Sequence, residues 1–164
     1  MIARAAKLVL LAGVVLFYAL VVFGNLTDPG SNLQFVQHVL AMDTTFPGNH
    51  LMWRALRSPG MEEAFFASIV AWEAVTLGLL AWGLVRLARA VRGTAAEFNA
   101  AKGMAIGALT ASLAMWLVAF LDVGGEWFAM WQSRVWNGQE AAFRMFAVVG
   151  IVLLVVMQPD TESV

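Results

Sequence analysis

The chain has 164 residues with ten basic and eleven acidic side chains, a formal net charge of −1, and 61% hydrophobic residues against 13% charged. Soluble domains run nearer half apolar and a quarter charged, so this balance points to lipid rather than water. It offers no basic excess for nucleic acid and no acidic tail for a disordered partner segment. Cysteine is absent, which excludes disulfides, thiolate metal sites, iron–sulfur ligation, covalent haem and the dithiol chemistry of small quinone-linked membrane enzymes.

In chain order, the first apolar run spans Leu8 to Thr27 without a charge and follows Arg4 and Lys7. It is long enough for a hydrocarbon core of roughly 30 Å. A cleaved signal peptide is discounted because the run is long and no small-x-small cleavage site precedes the expected turn Asn25-Leu26-Thr27-Asp28-Pro29-Gly30. Loop one, Gly24 to Gly60, is too long for a bare connector. Within it Ser31 is placed to cap a helix, and Leu33, Phe35, Val36, Val39, Leu40 and Met42 recur at helical spacing before Asp43-Thr44-Thr45-Phe46-Pro47-Gly48-Asn49 breaks the pattern.

The second run, about Ala64 to Val85, is interrupted by a single charge, Glu73, and leads into Arg86, Arg89, Arg92 and Lys102. The third, Gly103 to Leu121, is uncharged. Loop three, Asp122 to Gly138, opens on the pair Gly124-Gly125 and gathers Trp127, Phe128, Trp131 and Trp136; the spacing of Trp127 and Trp131 predicts an interfacial helix. The fourth run, Met145 to Met157, reaches full length when Ala141 to Arg144 join it, the arginine stem bending back to the interface. The expected fold is therefore an all-α membrane protein: a single four-helix transmembrane domain over 1–164, spans at 6–27, 62–87, 101–122 and 141–158, and short amphipathic helices in the two extracytoplasmic loops.

Arg4, Lys7, Arg86, Arg89, Arg92 and Lys102 fall on one side of such a bundle, while Arg54, Arg57, Arg134 and Arg144 are spread over the longer loops of the other. The positive-inside rule then places both termini in the cytoplasm, with loops one and three outside.

The blocks Ser31-Asn-Leu-Gln-Phe-Val-Gln-His-Val-Leu-Ala-Met-Asp-Thr-Thr-Phe-Pro-Gly-Asn49, Trp53-Arg-Ala-Leu-Arg-Ser-Pro59, Gly124-Gly-Glu-Trp-Phe-Ala-Met-Trp-Gln-Ser133 and Trp136-Asn-Gly-Gln139 resemble a bacterial family of predicted small integral membrane proteins of undefined function. The resemblance covers essentially the whole chain. It implies a four-helix membrane protein with outward motifs, and it implies no activity; the expected location is the bacterial inner membrane.

Candidate site residues follow from charge and chemistry. Glu73, near the centre of its run, needs a partner or a task, because an ionised carboxylate in hydrocarbon costs a few kcal/mol. It is expected either to hydrogen-bond across a helix interface, through Thr76, Thr110 or a partner subunit, or to bind a coupling proton or cation. Ala64, Ala67, Ala71, Ala74 and Gly78 form a seam of small residues, as do Gly103, Gly107 and Ala111, and both are expected to pack closely against helices. Glu73 is placed beside the first seam. Asp122 and Arg144 are expected to pair at the outer ends of their spans, or with Glu126 and Arg134 to line a polar cavity. Seven tryptophans suit interfacial belts, with Trp127 and Trp131 as the alternative wall of a quinone or lipid site against loop one. His38 and His50 lie near Met42 and Met52, a set that would suit Cu(I) but has no recognised ligand spacing; neither lies in a span, which argues against axial haem ligation. No nucleophile elbow, phosphate loop or zincin motif is present. The pattern names no cofactor, and an enzyme is not indicated. An interaction subunit that self-associates or joins a larger membrane assembly leads, ahead of a small coupled transporter using Glu73 and a quinone- or lipid-binding accessory subunit.

Overall fold

A computed structural model describes residues 1–161; the final three residues of the polar tail lie outside the described part. The described chain is helical throughout its regular structure. Helix α1 covers Ile2–Thr27, α2 Pro29–Ala41, α3 Pro59–Ala90, α4 Ala95–Ala101, α5 Gly103–Ala114 and α6 Gln139–Met157. A π-helical segment, Met115–Trp127, continues α5, and short 3-10 turns occupy Met52–Arg54 and Met130–Gln132. Four helices are long and apolar enough to cross a membrane: Ile2–Thr27, Pro59–Ala90, Ala95–Trp127 and Gln139–Met157.

The four spans form a closed ring in which α1 packs on α3, α3 on α5, α5 on α6 and α6 on α1. Its core runs through Leu11, Val14, Tyr18, Leu80, Leu87, Phe98, Ala105, Leu109, Met115, Val149, Val152 and Val156. The tightest crossing is Gly83 against Ala105, where a Cβ on the glycine would stand 2.8 Å from the Ala105 Cα and backbone N. The predicted seams are not that contact. Ala64, Ala67, Ala71, Ala74 and Gly78 are all exposed, as are Gly103 and Gly107. At about 100° per residue the α3 seam lies roughly 100–180° around the helix from Glu73, so a buried Glu73 turns the seam outward.

Element ends depart from expectation for local reasons. The expected turn at Asn25–Gly30 shrinks to Asp28, because α1 continues through Thr27 and α2 begins at Pro29. Proline suits the first helical turn, where its missing N–H is not needed, and Ser31 donates to Asp28 Oδ2 at 2.7 Å instead of capping the helix itself. The third span does not stop at Leu121. The π winding carries it on to Trp127, with Phe128 N donating five residues back to Val123 O at 3.0 Å, so Gly124 and Gly125 are buried helix residues and not the opening of a loop. Trp127 and Trp131 are not one helical turn apart either, since Ala129 takes the left-handed conformation (φ 51°) between them.

The loops between spans one and two and between spans three and four condense into one cap with its own core of Val36, Val39, Leu40, Met42, Phe128, Ala129 and Met130. Two of its chain reversals use non-glycine residues at positive φ, Met42 and Ala129. Each such backbone costs about 1–2 kcal/mol. The burial of both residues, 2% and 0% exposed, offsets that strain.

Gly83→Ala is expected to lower stability in detergent by about 1–3 kcal/mol through overpacking against Ala105. Gly78→Ala, with nothing within 4 Å of the added methyl, should match the wild-type chain or exceed it slightly. Thermal unfolding of the two purified variants reads the difference.

Candidate functional site

Glu73 is 4% exposed and faces α1, where Asn25, 5% exposed, donates Nδ2 to its Oε2 at 2.7 Å. The expected threonines play no such part: the Thr76 hydroxyl is buried with no partner among the described residues, and Thr110 donates to Ile106 O of its own helix. Asn25 in turn accepts from the exposed Asn32 of α2 at 2.6 Å. The three side chains thus form a polar line from the surface of the cap to a buried carboxylate. Glu73 lies level with Asn25, close to the end of α1 at Thr27, and therefore at the cap-side edge of the four-helix section and not at mid-span. The eighteen steps from Lys7 to Asn25 measure about 27 Å at 1.5 Å per residue, close to the thickness of a hydrocarbon core. Deeper in the bundle a second polar pair, Tyr18 and Ser112, shares one hydrogen bond at 2.6 Å, with the buried Trp116 indole N–H beside Tyr18.

At the cap the two long loops interlock. Gln132 Oε1 accepts from Phe46 N at 3.0 Å and from Asn49 Nδ2 at 3.2 Å. Thr44 donates to Ser133 Oγ at 2.8 Å, and that oxygen also accepts from Trp136 N at 2.8 Å. Arg54 reaches Trp127 O at 3.3 Å with its guanidinium beside two indoles that meet edge-on, 5.2 Å from the Trp53 ring centre and 4.7 Å from that of Trp127. Trp53 and Trp127 remain 70% and 47% exposed. Trp131 meets Phe46 edge-on at 5.8 Å. His38 stacks on Trp136 at 4.5 Å and shares a 2.7 Å hydrogen bond with Asp43, while Met42 is buried in the cap core.

The expected ion pair between Asp122 and Arg144 is not formed. Arg144 lies 3.5 Å from Glu140, one turn earlier on its own helix, with both side chains largely exposed. Asp122 and Glu126 sit exposed on the π-helical segment, where the wider winding rotates them relative to an α-helical register. Of the candidates named from sequence, Glu73 alone is enclosed in a polar network; Asn25, its partner, went unnamed. The signal was available, since Asn25 is the last strongly polar side chain inside an otherwise apolar run.

The opposite end of the bundle holds a cluster the sequence reading treated only as charge bias. Arg4 grips Asp160 through Nε at 2.8 Å and Nη2 at 2.6 Å, and donates Nη1 to Val91 O at 2.8 Å and Gly93 O at 2.7 Å. Lys7 and Lys102 both donate to Gln158 O at 2.6 Å, and Lys102 also to Asn99 Oδ1 at 2.6 Å. The Phe98 ring lies among all three cations, at 4.9 Å from Arg4, 6.0 Å from Lys7 and 5.5 Å from Lys102.

A family model described as a predicted small integral membrane protein matches residues 3–159. The chain belongs to that family. The match spans both loop motifs and all four spans, so this family member is a multi-pass integral membrane protein in contact with the lipid bilayer. No curated protein and no solved structure matches it.

Asn25→Leu is expected to destabilise the folded chain by about 1–3 kcal/mol, because it leaves a buried carboxyl without its donor, as read by thermal unfolding in detergent. A second expectation concerns pH. The Arg4 guanidinium holds the Asp160 carboxyl below its ordinary value of 3.8. A carboxyl depressed on folding contributes stability above its unfolded value and loses it as pH falls through the folded one. Acid unfolding followed by circular dichroism should therefore show a loss below pH 3.8 that Asp160→Asn flattens, at the cost of lower stability at neutral pH.

Proposed function

We propose that the protein is an interaction subunit of the bacterial cytoplasmic membrane, with both termini in the cytoplasm, its cap outside, and its partner a second copy or a larger membrane assembly. The observation that carries this reading is the small-residue face of α3. Ala64, Ala67, Ala71, Ala74 and Gly78 are exposed and unused by the chain's own bundle, although a face of this kind permits helix backbones to approach closely in a membrane. The cap supports it. Its loops are locked to each other before any partner arrives, and it offers Trp53 and Trp127 around Arg54, residue types that favour the centres of interfaces. Six basic side chains at the terminal end against four at the cap end, all ten of the chain's lysines and arginines, support the orientation.

A second reading, a proton- or cation-coupled carrier, is favoured by one feature: the polar line from exposed Asn32 through Asn25 to Glu73. The third, a quinone or lipid held between Trp127, Trp131 and loop one, gains less, because those indoles pack on Trp53 and Phe46 of loop one itself.

The chain has no cysteine, so single cysteines at Ala71 and Gly78 can be cross-linked without background. In native membranes both should trap the chain to itself or to one other membrane protein. In the Ala71→Cys chain, Ala74→Leu with Gly78→Leu should abolish the trapped species while leaving the unfolding midpoint unchanged. A chain that stays uncross-linked at both positions contradicts the interaction reading. Proteoliposome uptake abolished by Glu73→Gln would establish the carrier in its place.

A further inference from the structure

We propose that the cavity at the terminal end of the bundle binds a phosphate-bearing anion, supplied either as the headgroup of an anionic glycerophospholipid or as a free phosphate compound. The proposal is independent of the interaction reading, which concerns α3 and the cap. The cavity has a volume of about 840 Å³ and lies between the first turns of α1, the connection from α3 to α4, and the end of α6. That size falls within the range of ligand sites, about 300–1,000 Å³. Its wall carries Arg4, Lys7 and Arg92 beside Ala6, Ala95 and Val155, so cationic and apolar surfaces alternate as a headgroup joined to an acyl chain requires.

Among the described residues the cations at this end outnumber the carboxylates. Around this end stand Arg4, Lys7, Arg92 and Lys102, and among the described residues only Asp160 and Glu97 oppose them. Glu97 is committed to Thr94, accepting from its backbone N–H at 2.7 Å and its hydroxyl at 3.1 Å, and Asp160 is committed to Arg4. Lys7 is the telling group. Its side chain lines the cavity and is only 4% exposed, yet its ammonium makes one hydrogen bond to a described residue, at Gln158 O, out of three donors. Gln158 O already receives Lys102 as well. Among the described residues the only carboxylate near the Lys7 ammonium is Asp160, which Arg4 already holds in an ion pair. Arg92 is exposed on the cavity wall and makes no hydrogen bond among the described residues. A tetrahedral phosphate between Lys7 and Arg92 would neutralise both, accept their spare donors, and sit at the depth where basic pockets between spans meet lipid headgroups.

The test uses the full-length protein in a neutral detergent, with native mass spectrometry and titration against dioleoyl phosphatidylglycerol, dioleoyl phosphatidylcholine and inorganic phosphate. The expected result is preferential retention of phosphatidylglycerol over phosphatidylcholine, or saturable binding of phosphate, with affinity falling about tenfold or more in Lys7→Gln/Arg92→Gln. Arg134→Gln, at the cap end, should leave it unchanged. Retained lipid that excess phosphate does not displace identifies the headgroup as the source; phosphate binding without lipid preference identifies the free compound. Arg92→Gln alone, an exposed change that leaves the buried lysines in place, keeps the proposal falsifiable if the double variant misfolds, and it should weaken binding several-fold with a reduced dependence on salt. Equal retention of the two lipids without phosphate binding overturns the proposal, as does binding that both Arg92→Gln and the double variant leave intact.

Discussion

A chain inside hydrocarbon finds no water to satisfy its backbone N–H and C=O groups, so every crossing must close its hydrogen bonds within itself. The architecture of this protein follows from meeting that condition four times in one short chain. An even number of crossings returns both termini to one end. The same parity delivers both long connections to the other end, where they are close enough to fold on each other. The cap is therefore a consequence of the bundle: Gln132 and Ser133 can receive Phe46, Asn49 and Thr44 because the spans have already brought two distant parts of the sequence together.

The same constraint sorts the polar side chains. Between the level of Lys7 and the level of Asn25 the ring is closed by apolar packing, relieved among the described residues by the shared hydrogen bond of Tyr18 and Ser112 and by the buried donors of Thr76 and Trp116. Charged groups gather at the two edges. At the cap edge Glu73 is sheltered from lipid by α1 and held by an amide. At the terminal edge arginine and lysines crowd around one aromatic ring and the carbonyl of Gln158. Polar groups placed there stay near the hydrated interface, where the cost of charge is far lower than at the bilayer centre.

What the sequence disclosed and what it concealed divide along a physical line. Long apolar runs separate spans from connections with little ambiguity, because no other structure crosses lipid in twenty residues; the four spans were legible for that reason. Angular and axial detail was not. A seam of small residues identifies a face but not what meets it, and the close approach fell to Gly83 and Ala105 while the seam turned outward. Glu73 looked central because its own run is long, yet α3 extends well beyond α1 into the cap, so the depth of the carboxylate is set by its partner helix. The π winding after Met115 has no periodic signature to betray it, and it moved Gly124 and Gly125 from loop to helix and Asp122 away from Arg144. The terminal cluster escaped notice as a site because Arg4, Lys7, Lys102 and Asp160 are brought together only by the ring closing α1 against α6.

The account stands on the two cap connections sharing one face as a locked unit. Its most direct test is a disulfide between Thr44→Cys and Ser133→Cys, introduced into a background free of cysteine and assayed by oxidation in intact membranes. Their native side chains touch at 2.8 Å, so the account predicts a rapid intramolecular bridge that leaves the chain folded. Two thiols that fail to bridge, and that react with membrane-impermeant reagents from opposite sides of the membrane, would contradict it.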